Sequence, residues 1–153
     1  MKNLIFLSLI FLISYCSAPK LNDSKFFDVE VNLLEMWFDA MPKVEARSKF
    51  HIVLDYSLRN ISNKELRIDS LKYGLAFSNG DILIFYDDKF YPVTLSHNED
   101  IRFQNLNLSS EVVGMIPGND RKADLYLNVN FTIGSKKFSE KVLIKSQEYE
   151  IVY

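Results

Sequence analysis

Few residues in this chain are of types that do chemistry, and they lie far apart. There are two histidines, His51 and His97, and a single cysteine, Cys16. A serine nucleophile would need a sharp elbow and a partnered base, and no G-x-S-x-G occurs. His51 and Asp55 stand four residues apart in a run of alternating apolar residues, about 13 Å along an extended strand. That is too far for a shared ligand or a hydrogen bond. Asp87-Asp88 and His97-Asn98-Glu99-Asp100 are acidic loop clusters. They could offer oxygens to calcium, but the EF-hand spacing is missing and the ion takes six to eight oxygens. Turn chemistry is the better account of them, because Asp and Asn accept turn geometry and cap it with their side chains. Both histidines are therefore expected on the surface or in loops. No catalytic set, metal site or cofactor is expected.

Cys16 belongs to a different pattern. Lys2 is a positive start, and Leu4 to Ile13 is apolar apart from Ser8. Ten residues rise about 15 Å as a helix, half of a hydrocarbon core of about 30 Å, so a secretory signal peptide fits better than a transmembrane helix. Ile13-Ser14-Tyr15-Cys16 resembles a bacterial lipobox. The resemblance implies cleavage before Cys16 and a diacylglycerol on its thiol, which would place the protein in the cell envelope of a diderm bacterium, anchored to a membrane. Ordinary secretory cleavage after Cys16 and a buried structural thiol are the other readings. Three sequons, Asn60-Ile61-Ser62, Asn107-Leu108-Ser109 and Asn130-Phe131-Thr132, are accidental if the signal is bacterial.

Residues 1–15 then form a signal peptide, and 16–24, polar and containing Pro19, a tether. Residues 25–153 remain as one domain, large enough for a real core. The whole chain has a net charge of −2. Charges of both signs are mixed, with no basic run that could track phosphates, so nucleic acid is not an expected partner. With no second cysteine there can be no intrachain disulfide and no thiolate metal cluster. Stability must come from packing, for which 12 Phe and 8 Tyr supply large buried areas.

Across the domain, apolar and polar residues alternate with the period of half-buried strands. Phe27 to Leu33 is one such run, and Phe50 to Leu58 is the clearest early one. Leu66 to Phe77 follows the turn at Asn60-Ile61-Ser62-Asn63. Asn79-Gly80 signals a hairpin, in which both residues would take positive φ, and Ile82 to Tyr86 returns. Phe90 to Leu95 contains Pro92, which has no N–H for a ladder, so that strand belongs at an edge. Ile101 to Leu108, Ala123 to Ile133, Phe138 to Lys145 and Tyr149 to Tyr153 complete the set. Leu33 to Met41 could instead form a turn of helix, stopped by Pro42. Many short strands at roughly ten-residue spacing indicate a sandwich, with a closed barrel as the second choice.

The stretch Ile52-Val53-Leu54-Asp55-Tyr56-Ser57-Leu58-Arg59-Asn60-Ile61-Ser62-Asn63, continued to Asn79-Gly80, resembles the core of small immunoglobulin-like domains of the FxLYD type. The resemblance implies an all-β fold, an antiparallel immunoglobulin-like β-sandwich of about eight strands. It also implies a non-catalytic module of an envelope protein, with no site residues to carry over.

The least ordinary stretch is Glu35-Met36-Trp37-Phe38-Asp39-Ala40-Met41-Pro42, which holds the only Trp. Trp37 is expected to plug one end of the sandwich, or else to be an exposed anchor for a partner, since Trp is enriched at interface hot spots. Trp37, Phe38 and the strand of Pro92 are the candidate partner-binding elements. The expected function is a lipid-anchored, non-enzymatic binding or structural module with an envelope protein partner. The alternative is a metal-binding or hydrolase-like envelope enzyme, which would require His51, Asp55, His97 and an acidic loop to converge.

Overall fold

The computed structural model describes residues 25–40, 47–86, 90–112 and 121–153. The signal peptide, Cys16, the tether, Pro42 and Asp87-Asp88 lie outside the described residues. Nine strands form among those described: β1 (Phe27–Asp39), β2 (Lys49–Asn60), β3 (Leu66–Phe77), β4 (Ile82–Tyr86), β5 (Val93–Leu95), β6 (Asp100–Glu111), β7 (Lys122–Ile133), β8 (Lys136–Glu148) and β9 (Glu150–Val152).

They make two packed sheets, ordered β6-β2-β1-β9 and β4-β3-β7-β8, with β5 also on β3. All pairs are antiparallel except β1 with β9. The first, second and sixth strands share one sheet, while the third, seventh and eighth share the other. That is the division of an immunoglobulin-like sandwich. The fold is therefore the expected all-β sandwich, not a barrel.

Strand alternation builds the core. Phe50, Ile52, Leu54, Tyr56 and Leu58 of β2 face Leu125, Leu127, Val129 and Phe131 of β7, and all are buried. Two strands keep an inward face only by changing parity. In β3 the register shifts between Ile68 and Ser70, so Leu66 and Ile68 point inward and so do Leu71, Tyr73 and Leu75. In β1 the shift lies between Val31 and Leu33. Such a bulge adds one residue and turns the following side chains over. After it, Leu34, Met36 and Phe38 are buried, while Leu33 and Trp37 face outward.

This corrects two expectations. Leu33 to Asp39 is a continuation of β1, not a turn of helix: the parity change reads as a loss of strand period but is one inserted residue. Trp37 is not the plug. That end of the sandwich is filled by Phe38, Phe50, Phe77 and Tyr149, whose rings meet at 5.2 to 6.5 Å.

Two polar devices sit within this apolar interior. The Tyr56 and Tyr73 hydroxyls meet across the sheets at 2.7 Å, so neither buried oxygen is left unpaired. Asn60 is wholly buried. Its Nδ2 donates to the carbonyls of Lys64, Leu95 and Ser96, and its Oδ1 accepts from the Ser62 N–H and hydroxyl. The Asn-x-Ser of the first sequon thus ties two loops together, and a glycan has no access to it.

The β3–β4 hairpin differs in detail from expectation. Gly80 has φ of 90°, whereas Asn79 is not among the positive-φ residues. Gly80 N–H donates to the Phe77 carbonyl and Phe77 N–H to the Asp81 carbonyl. This is a three-residue loop, in which a type I turn is followed by a left-handed glycine.

Candidate interaction surfaces

Trp37 stands on the solvent face of the β6-β2-β1-β9 sheet. Across β1 and β2 it is register-paired with His51, and the two rings stack at 5.1 Å and 12°. On its other side β9 begins, with Glu150 opposite Trp37. β9 does not reach back as far as Leu34, whose carbonyl is met instead by Gln147 Nε2 at 3.0 Å. The gap between β1 and the β8–β9 connection is a groove of about 460 Å³, lined by Trp37, Glu35, Glu148, Glu150 and Val152 among others. Among the described residues, no Lys or Arg lines it. The three glutamates take no part in the ion pairs Arg47–Glu111, Arg67–Asp69 and Arg102–Asp100. An indole beside carboxylates that form none of these ion pairs suits a cationic side chain, which gains from both the ring face and the charges.

Phe38 is buried at 4% exposure, so this candidate partner contact is a core residue. The same alternation that exposes Trp37 hides its neighbour. Pro92 is exposed just before β5, which among the described residues pairs only with β3, over Leu66–Ile68. The strand is shorter than the expected Phe90 to Leu95, and it lies on an edge as the proline requires.

The residues that an enzyme would have to bring together are held separately. His51 is stacked on Trp37. Asp55 accepts the Asn105 N–H at 2.6 Å, at the bulge where β6 departs from β2. His97 lies in the loop before β6, with Nδ1 donating to the Ser62 carbonyl at 2.6 Å and Nε2 accepting from Asn98 Nδ2 at 2.9 Å. Both of its ring nitrogens are occupied in holding that turn. Among the described residues, no three of His, Cys, Asp and Glu are grouped to hold a metal ion.

One feature escaped sequence reasoning. β4 exposes Ile82 at 63% and Ile84 at 52% on an outer edge of the second sheet, and Tyr91 beside β5 is 82% exposed. The uncharged run Ile82 to Tyr86 was visible, but its edge position follows from strand order.

No protein-family model matches the chain, and no curated protein matches it. Among solved structures, the chain is similar to a target of the Northeast Structural Genomics Consortium (TM-score 0.48, 10% identity, covering 81% of this chain and 86% of that one). It is also similar to a Bordetella pertussis protein assigned as ApaA (TM-score 0.47, 7% identity, 83% and 96%). A third likeness is to an uncharacterised β-sandwich protein from Clostridium difficile (TM-score 0.34, 17% identity, 77% and 86%).

Proposed function

We propose that this protein is a lipid-anchored, non-enzymatic binding module of a diderm cell envelope. It is held by a diacylglycerol on Cys16 and binds an envelope protein partner through the Trp37 face. The observation that carries the reading is the outward-facing indole in a groove with Glu35, Glu148 and Glu150. A basic segment of the partner is the matching chemistry.

Trp37→Ala tests the surface. Because Trp37 is not in the core, the variant is expected to fold, and cross-linking in intact cells should lose the partner band while the protein stays in the membrane fraction. Retention of the band would end the Trp37 reading. Cys16→Ala tests the anchor: it should release the protein or leave the precursor uncut, and a fatty-acid probe should label only the wild type. A mature N-terminus at Ser17 without lipid label would remove the anchor from the proposal.

A further inference from the structure

The outer edge of β4 presents backbone as well as side chains. Phe77 N–H donates to the Asp81 carbonyl at 3.0 Å, which makes that pair a hydrogen-bonded one. The register continues as Ala76↔Ile82, Leu75↔Leu83, Gly74↔Ile84 and Tyr73↔Phe85. Bonded and non-bonded pairs alternate along an antiparallel ladder. Leu83 and Phe85 therefore bond to β3, while Ile82 and Ile84 turn their N–H and C=O away from it. β4 has no second hydrogen-bonded strand among the described residues, although β6 of the other sheet lies near it. The same two isoleucines carry their side chains on the solvent face, and their β3 neighbours there are Ala76 and Gly74, too small to cover them.

We infer that β4 is a strand-addition site, and that its occupant is an extended segment of a partner protein. That segment would carry β-branched residues at alternate positions and a Lys or Arg beside Asp81. Main-chain bonds to Ile82 and Ile84 would supply the affinity and the isoleucine row the selection. Charge decides the occupant. Asp81 is exposed and its carboxylate accepts only Asn79 Nδ2, at 2.8 Å, among the bonds seen. A second copy is the poorer partner, since its own β4 has no cationic side chain to set beside Asp81. The site is separate from the Trp37 groove, since β4 belongs to the other sheet.

The test is amide hydrogen exchange of the full chain in detergent, with a synthetic peptide of alternating valine and threonine ended by lysines. At ten times its dissociation constant the peptide should slow exchange at Ile82 and Ile84 about tenfold, since exchange then runs from the free fraction. The amides of Leu83 and Phe85, already bonded to β3, should not change. A glutamate-ended peptide should bind more weakly, and Asp81→Asn should erase the difference between the two. Ile84→Lys should remove the protection while the rest of the exchange pattern persists. The inference is overturned if no peptide protects Ile82 and Ile84, or if the glutamate-ended peptide binds as well. It is equally overturned if protection appears with rising protein concentration alone, which would make a second copy the occupant.

Discussion

β4 and β8 close the same sheet at opposite edges, and they are built in opposite ways. β8 runs for 13 residues and carries Lys136, Lys137, Lys141 and Lys145. Lys141 lies over the Tyr126 ring at 3.7 Å, so its stem also covers apolar surface. β4 has five residues and no charge. A long bare edge would invite pairing with any exposed strand, and lysines are a common way to prevent that, because a second strand would have to bury or displace them. β8 has this protection along its length. β4 escapes the worst of the hazard by being short, with aspartates only at its ends. The difference shows that edge protection in this fold is local: lysines line one edge, while the five residues of the other carry no charge.

The largest expected effect comes from detaching β4. The Gly80 Cα sits at a φ of 90° with nothing within 4 Å of where a Cβ would be. The obstacle to a side chain there is thus backbone strain, not crowding. Gly80→Val should cost about 1 to 3 kcal/mol and loosen the hairpin. Denaturant melts would show it as a lower midpoint, with faster exchange at Leu83 and Phe85. An unchanged midpoint would mean that the loop can re-form without a left-handed residue, and that β4 is held by more than its turn.

Next comes removal of the protection from β8. Replacing Lys136, Lys137, Lys141 and Lys145 together by Thr keeps β propensity and takes away the charges. Since these positions are exposed, folding stability should move by no more than about 0.5 kcal/mol per site. Association, followed by light scattering against concentration, should rise sharply compared with the wild type. If the quadruple variant associates no more than the wild type, length and twist protect β8, and the contrast with β4 loses its electrostatic basis.

How far this arrangement was legible in the chain follows from the same strands. Alternation along Phe50 to Leu58 and Ala123 to Ile133 marked buried strands directly, because period two survives wherever a strand pairs without interruption. It failed at Leu33 to Asp39, where one extra residue after Val31 reversed which side chains face the core. That reversal moved Trp37 from plug to surface and Phe38 from surface to core. The Trp37 groove was out of reach altogether, because Glu148 and Glu150 join Glu35 only through the parallel pairing of β9 with β1. Pro92 marked an edge correctly, since a missing N–H is a property of one residue. Asn60 looked like part of a turn, and only the folded loops show its amide bonding three carbonyls.

The smallest effect concerns a carboxylate held on the β8 side of β3. Asp69 is the extra residue at the β3 bulge, and its carboxyl is kept below the usual carboxylate range, chiefly by the hydrogen bond from Thr132, then by Arg67 and the charge of Lys137, against an opposing desolvation. Thr132 Oγ1 donates at 2.6 Å and Arg67 pairs at 2.8 Å. A carboxyl whose folded pKa lies below its unfolded value stabilises the fold above the unfolded pKa of about 3.9. That contribution is lost as pH falls through the lower, folded value. Thr132→Val removes the principal cause while keeping the shape of the residue. Its destabilisation should therefore be full near neutral pH and shrink once Asp69 is protonated in the folded wild type. Thermal melts of both proteins from pH 7 to pH 2 would reveal the convergence. A gap that stays constant with pH would mean that Thr132 acts through packing alone. Because Lys137 also belongs to the β8 lysines, the quadruple Thr variant should show a weaker acid dependence from Asp69 as well. The charges that keep β8 closed would then contribute, in small part, to the stability of the sheet they border.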